Sequence, residues 1–258
     1  ISLMKYLIRS GTFFDKNSLV LDFFSGSSST AHGFFINQLE NPSKSKFIMV
    51  QLPEPTVETS EAFKSGYKTI AEIGKERIRR AGKKIIEEKL AEIKKLKARN
   101  SLLEEDQEEI NNLQYIIDNL DTGFKVFKLD SSNIKGWDGN PEDLEASLFD
   151  AQENIKTDRT EEDVLFEILL KYGLDLTLPI DEKLIEGKKV FSVGFGALFI
   201  CLADDITNKV AEGIGAWKQE LNPATCRVIF KDGGFTDVEK TNAVQTLKRF
   251  GINEIKSI

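Results

Sequence analysis

Cysteine and histidine are almost missing from this sequence. Two cysteines, Cys201 and Cys226, and one histidine, His32, stand among 258 residues. Three such side chains cannot by themselves complete a four-ligand zinc site, and two cysteines cannot make a disulfide scaffold. A reducing, cytoplasmic setting is the default for such a chain. Proline is scarce, at six residues, and no two prolines are adjacent. No apolar run approaches the ~20 residues that cross a bilayer, so no membrane span or membrane partner is expected. Met4-Lys5-Tyr6-Leu7-Ile8-Arg9 is too short and too interrupted by charge to be a signal peptide. What is present is ordinary for a globular protein: 40% hydrophobic residues, 30% charged residues and a net charge of −7, which is neither a disordered nor a fibrous composition. The length suits one or two domains. The sequence opens at Ile1, without an initiator methionine and inside an amphipathic helix pattern, and is expected to be a fragment of a longer chain.

The charge is segregated. Residues 64–100 hold 13 basic and 5 acidic residues, a net +8, and residues 101–167 hold 5 basic and 19 acidic ones, a net −14. The basic block either meets phosphate or pairs with the acidic block in an antiparallel helical hairpin.

The pattern is α/β. A helix over 2–10 ends at Gly11, and Leu19-Val20-Leu21-Asp22-Phe23-Phe24 reads as a buried parallel strand. Ser25-Gly26-Ser27-Ser28-Ser29 is a small-residue loop before a helix over 30–39, and 47–52 is a second strand stopped by Pro53 and Pro55. Together these make one βαβ unit. A long helical stripe runs from Ala62 to Leu96, and Ser101-Leu102-Leu103-Glu104 is a capping box for a second helix. Leu103, Ile110, Leu113, Ile117 and Leu120 then repeat at heptad spacing. Two antiparallel helices or one unbroken helix fit this pattern. The alternation in 123–129 predicts a strand. Residues 138–160 form a polar connector. A second α/β region follows, with helices over 164–172, 206–217 and 238–250. Its strands are expected at 190–193, 197–202, 225–230 and 252–258, with a hairpin at Gly194-Phe195-Gly196.

The stretch that carries chemistry is Asp22 to Thr30. A strand ending in an acid, followed by a small-residue turn into a helix, is how α/β sheets hold nucleoside-containing cofactors. Gly26 and the serines let the backbone come close to a ligand, and the helix N-terminus offers free N–H groups. Asp22 could bind a cationic amine. The run lacks the Gly-x-Gly-x-x-Gly spacing and there is no Walker pattern, which argues against a phosphate cofactor. A plain turn without a ligand fits the spacing equally well. Phe23 and Phe24 could flank an adenine ring, although neighbouring strand residues point to opposite faces and one of the two is then core. His32 reads as structural or solvent-facing, Cys201 and Cys226 as core thiols, and Trp137 and Trp217 as packing on helix flanks.

Val20 to Ala31 resembles the S-adenosylmethionine-binding loop of amino-group DNA methyltransferases, written Asp-x-Phe-x-Gly-Ser-Gly-Thr-Thr in that family. The helix before it, Leu3 to Ile8, is similar to the one that leads into this loop in circularly permuted members. Gly66 to Ala81 and Gly123 to Asn133 resemble the methyltransferase subunit of type III restriction-modification systems. The resemblance is continuous over 3–137 and weaker over 160–258. It implies a partial Rossmann-like methyltransferase sheet over 1–137, with a helical arm at about 70–120, and a small α/β C-terminal domain over 161–258. It implies a parent that methylates an adenine amino group in DNA. The implied cofactor is S-adenosylmethionine, held by Asp22, Phe23, Phe24, Ser25, Gly26, Ser27, Ser28, Thr30, Gln51 and Glu54. Implied partners are DNA, mainly through an upstream region, a second methyltransferase subunit and a restriction subunit.

The departures from the family matter. Ser28 replaces the second glycine, so the turn must accommodate a Cβ. Gln51 stands where relatives often carry the acid that holds the ribose hydroxyls, with Glu54 three residues on. Asp130 ends the expected third strand, where relatives contact the adenine edge. The catalytic Asp-Pro-Pro-Tyr segment, which grips and stacks on the flipped base, has no counterpart here, so the chain alone is expected to be inactive. A protein-interaction or dimerisation module without cofactor binding is the alternative.

Overall fold

The structure, a computed structural model, describes residues 1–99, 104–135 and 155–258. The Ser101 end of the expected capping box and most of the connector, Trp137 included, lie outside the described residues. The chain divides into two compact units, 1–124 and 125–258.

In the first unit, α1 (Ser2–Gly11) precedes β1 (Leu19–Asp22), α2 (Ser29–Glu40) and β2 (Lys46–Met49). The strands pair in parallel, Leu19 opposite Lys46 through Asp22 opposite Met49, with α2 as the crossover. Phe34 and Phe35 of α2 pack edge-on against Phe47 of β2, with ring centroids 5.3 and 5.8 Å apart. Ile8, Ala31, Ile78, Ala81 and Ile85 complete this core. The packing of α1 on α2 depends on Gly33, where a Cβ would lie 2.9 Å from that of Met4. All of this core lies on one side of the two-stranded sheet. The other side, with Leu19, Leu21 and Ile48, is exposed, as are Val50 and Leu52 just beyond β2.

A short α3 (Glu61–Lys64) leads to α4 (Ile70–Ala98), whose N-cap Thr69 accepts a hydrogen bond from the Glu72 amide. The following helix, α5 (Glu104–Asn119), packs back on α4: Ile93 and Leu96 meet Leu113, Ile110 and Ile117. Thr122 then lies against Gly82, so the chain returns along α4 as an antiparallel pair. Among the described residues, the ion pairs of α4 are with its own acids, at i,i+3 or i,i+4: Glu72–Lys75, Glu76–Arg79, Glu76–Arg80, Lys83–Glu87, Lys84–Glu88 and Lys89–Glu92. Such pairs need no partner helix.

The expected strand over 123–129 does not form; residues 120–130 carry no regular secondary structure. Alternation favours an extended backbone, but a strand also needs a ladder to join, and Phe124, Lys125 and Phe127 have each found a different partner. Phe124 packs into the first core with the Arg79 guanidinium 5.6 Å above its ring. Phe127 packs edge-on against Phe166 at 4.9 Å. The Lys125 ammonium donates to the carbonyls of Leu176 and Leu178.

The second unit is a five-stranded sheet in sequential order, β3 (Ile180–Ile185), β4 (Lys188–Val193), β5 (Leu198–Cys201), β6 (Arg227–Phe230) and β7 (Glu254–Ser257). The first three strands are antiparallel and the last three parallel. Alternate residues feed opposite faces. Phe191, Val193, Leu198, Ile200 and Ile229 meet α6 (Glu161–Lys171). Val190, Phe199, Cys201, Val228 and Phe230 meet α7 (Asn208–Leu221) and α8 (Asp237–Arg249), where Trp217 is core rather than flank. Burial pushes both thiols, Cys201 and Cys226, up to about 11. No helix among the described residues is long and apolar enough to cross a membrane.

Candidate functional site: the loop after the first strand

The 22–30 loop is closed by its own hydrogen bonds. The Thr30 hydroxyl donates to Asp22 Oδ2 at 2.5 Å and the Phe24 amide to Asp22 Oδ1 at 3.3 Å. The Ser28 amide donates to the Ser25 carbonyl at 2.6 Å. Gly26 (φ +52°) and Ser28 (φ +58°, ψ +42°) are both left-handed. Ser28 therefore keeps the backbone shape that a glycine would adopt freely, at a cost of about 1–2 kcal/mol for its Cβ. A Cβ on Gly26 would meet no atom within 4 Å, so that side of the turn is open.

The second strand braces the loop. The Ser25 amide donates to the Val50 carbonyl, and the Gly26 amide to Gln51 Oε1 at 2.7 Å. Gln51 thus spends its acceptor on the loop and its amide group on the Leu52 carbonyl at 3.2 Å. Glu54 is exposed, and its carbonyl accepts from the Ile70 amide, so that α4 starts beside the strand ends. Ser25 and Thr30 are buried, and Ser25 Oγ has no hydrogen-bond partner among the described residues. Phe23 and Phe24 are 65% and 84% exposed. Neither is core, because β1 ends at Asp22 and the strand alternation ends with it. Asp130 belongs to the second unit, where the Ser131 amide and Arg159 hold its carboxyl below the usual range.

Sequence reasoning missed the first two turns of α4. Gly74 abuts the loop: a Cβ there would lie 2.6 Å from Ser28 Oγ and 3.2 Å from the Gly26 carbonyl oxygen. Arg77 donates to the Ser27 carbonyl at 3.4 Å and, more closely, to the Ser27 hydroxyl. The readable signal was Gly74 itself, since a mid-helix glycine costs about 1 kcal/mol and needs a packing reason. A groove of about 440 Å³ borders the loop, lined by Ser27, His32, Tyr67, Arg77, Arg80 and Lys84 among others. Partial burial, then the charges of Arg77 and Lys84, lower the pKa of His32.

No family model matches the chain. Three curated relatives do. One is the Mod subunit of a type III restriction-modification enzyme of Escherichia coli, 50% identical over 70 residues, which is 27% of this chain and 11% of that protein. A second is the Mod subunit of a type III enzyme of Salmonella typhimurium, 38% identical over 84 residues, 33% of this chain and 13% of the relative. A third, from an Escherichia phage, is 39% identical over 85 residues, with 33% and 13% covered. The matched stretch spans little more than a tenth of each relative. Over about a third of its length, this chain is related to the Mod subunits of type III restriction-modification enzymes.

Proposed function

We propose that this chain supplies the S-adenosylmethionine-binding part of a DNA adenine methyltransferase, the modification subunit of a type III restriction-modification system. The observation that carries the reading is the 22–30 loop. It is a preformed left-handed turn at the end of a parallel strand, open at Gly26 and holding a buried hydroxyl, Ser25 Oγ, without a partner among the described residues. An orphaned buried polar atom beside open space suits a ligand-binding loop. The bound cofactor would supply an electrophilic methyl group. The chain's own residues would hold it: the Gly26–Thr30 turn by close backbone approach, Phe23 and Phe24 by their exposed rings, and Asp22 by what remains of its acceptor capacity. Gln51 acts through the Gly26 amide, which leaves Glu54 as the free acid for the ribose hydroxyls.

The bare face of the β1–β2 sheet supports the same reading. Leu19, Leu21 and Ile48 form an exposed apolar surface, of the kind that helices on the second face of a completed methyltransferase domain would cover. The DNA-reading and base-gripping parts lie outside this chain on this reading, as do the contacts with a restriction subunit. The chain acts where DNA is, in the cytoplasm. Calorimetry with S-adenosylmethionine tests the reading. Weak binding that Gly26→Leu abolishes supports it. A dimer that binds no cofactor would favour an interaction module instead.

A further inference from the structure

We infer that Arg77 is a positioning residue for the cofactor loop, clamping it from α4; this rests on the cofactor-binding reading above. The loop has two braces, one on each side. Gln51 holds the Gly26 amide from the strand side. On the helix side stands Arg77, half-buried on α4, its guanidinium reaching 50 residues back along the sequence to the Ser27 carbonyl and hydroxyl.

The placement follows from three local features. Antiparallel bonds between Glu54–Thr56 and Lys68–Ile70 return the chain to the strand ends and start α4 there. Gly74, one turn into the helix, lets the helix backbone approach Ser28 and Gly26 without a side chain between them. Arg77 lies three residues on, on the same face of the helix, and reaches Ser27, the loop residue between those two. Its fork can meet a carbonyl and a hydroxyl at once, which a lysine ammonium on a flexible stem does less well.

The clamp has a specific task. Ser28 is left-handed at a residue with a Cβ, a conformation that persists only when its surroundings enforce it. Ser27 precedes it, and fixing both of its oxygens removes the rotation by which the Ser27–Ser28 peptide would relax. Arg77 thus acts through Ser27 and Ser28, by keeping the turn in the shape that would meet a cofactor.

The test compares the 258-residue chain with Arg77→Ala and Arg77→Lys by two-dimensional amide NMR, reading loop amide exchange without ligand and then titrating S-adenosylmethionine. Arg77→Ala should keep the melting temperature within a few degrees, because the Ile78, Ala81 and Ile85 core is untouched. It should speed exchange of the Gly26 and Ser28 amides and weaken the cofactor about tenfold or more. Arg77→Lys should recover part of both losses. Equal affinity and exchange in Arg77→Ala would overturn the inference while leaving the cofactor reading intact. If the unsubstituted chain does not bind at all, the cofactor reading falls and the inference with it.

Discussion

Gly74→Ala separates the role of α4 as a wall of the loop from its role as a helix. The added Cβ would sit 2.6 Å from Ser28 Oγ, against the 3.4 Å or more of an ordinary contact, and 3.2 Å from the Gly26 carbonyl oxygen. The Ser28 hydroxyl can rotate away, but the carbonyl is backbone, so helix and turn must part by a few tenths of an ångström. Overpacking of this kind costs about 1–3 kcal/mol. Replacing a mid-helix glycine by alanine returns about 1 kcal/mol. The net expectation is a stability loss of about 0–2 kcal/mol, small enough that the chain stays folded. Gly82→Ala is the matched control, on the same helix, with its Cβ 2.8 Å from that of Thr122 and no contact with the loop. Thermal melts followed by circular dichroism should give similar losses for the two variants. Amide hydrogen exchange should differ: the Gly26 and Ser28 amides exchange faster in Gly74→Ala and as in the parent in Gly82→Ala. Unchanged exchange at both amides in Gly74→Ala, or an equal effect of Gly82→Ala, would refute the wall.

Other outcomes follow from the same structure. Burial opposes ionisation of Glu167, but hydrogen bonds from Lys171, Ser132 and the Asn133 amide outweigh it and hold the carboxyl at about 2. A depressed carboxyl stabilises the fold above its unfolded pKa and loses that contribution as pH falls. Glu167→Gln should therefore cost about 1–2 kcal/mol at pH 7 and much less near pH 2, as read from urea midpoints at both pH values. Leu113→Ala opens the small Ile93–Leu96–Leu113 cluster of the arm and should cost about 2–3 kcal/mol, visible as early loss of helical signal on heating. The chain alone should transfer no tritiated methyl to mixed-sequence DNA. Positioning supplies about 7–11 kcal/mol in well-oriented reactions, and the base-gripping segment that would supply it is not in this sequence. Incorporation above background that survives repurification would contradict that.

Periodicity made most of the elements legible. The run 19–24, expected as a buried strand, forms β1 only over Leu19–Asp22, with Leu19 and Leu21 exposed, whereas the alternation of Val190-Phe191-Ser192-Val193 feeds the two faces of the second sheet. β3 was not legible, because Ile180-Asp181-Glu182-Lys183-Leu184-Ile185 is half charged. That is how an exposed edge strand avoids pairing with other chains, and it hides the strand from a hydrophobic reading. The false strand at 123–129 is the converse: the pattern was right and the ladder was absent. At the loop, Asp22 and Gly26 to Thr30 were readable because their residue types carry the turn. The distribution of tasks was not. Gln51 and Arg77 are both committed to loop oxygens or amides, and only three-dimensional contact could show this.

The most direct measurement is ultraviolet cross-linking of tritiated S-adenosylmethionine to the chain, followed by tryptic mapping. Label should fall in the peptide 17–44, which holds Phe23, Phe24 and the turn. It should be displaced by excess S-adenosylhomocysteine and lost in Gly26→Leu. Label spread over other peptides, or label in 17–44 that neither the competitor nor Gly26→Leu reduces, would contradict a cofactor site at this loop.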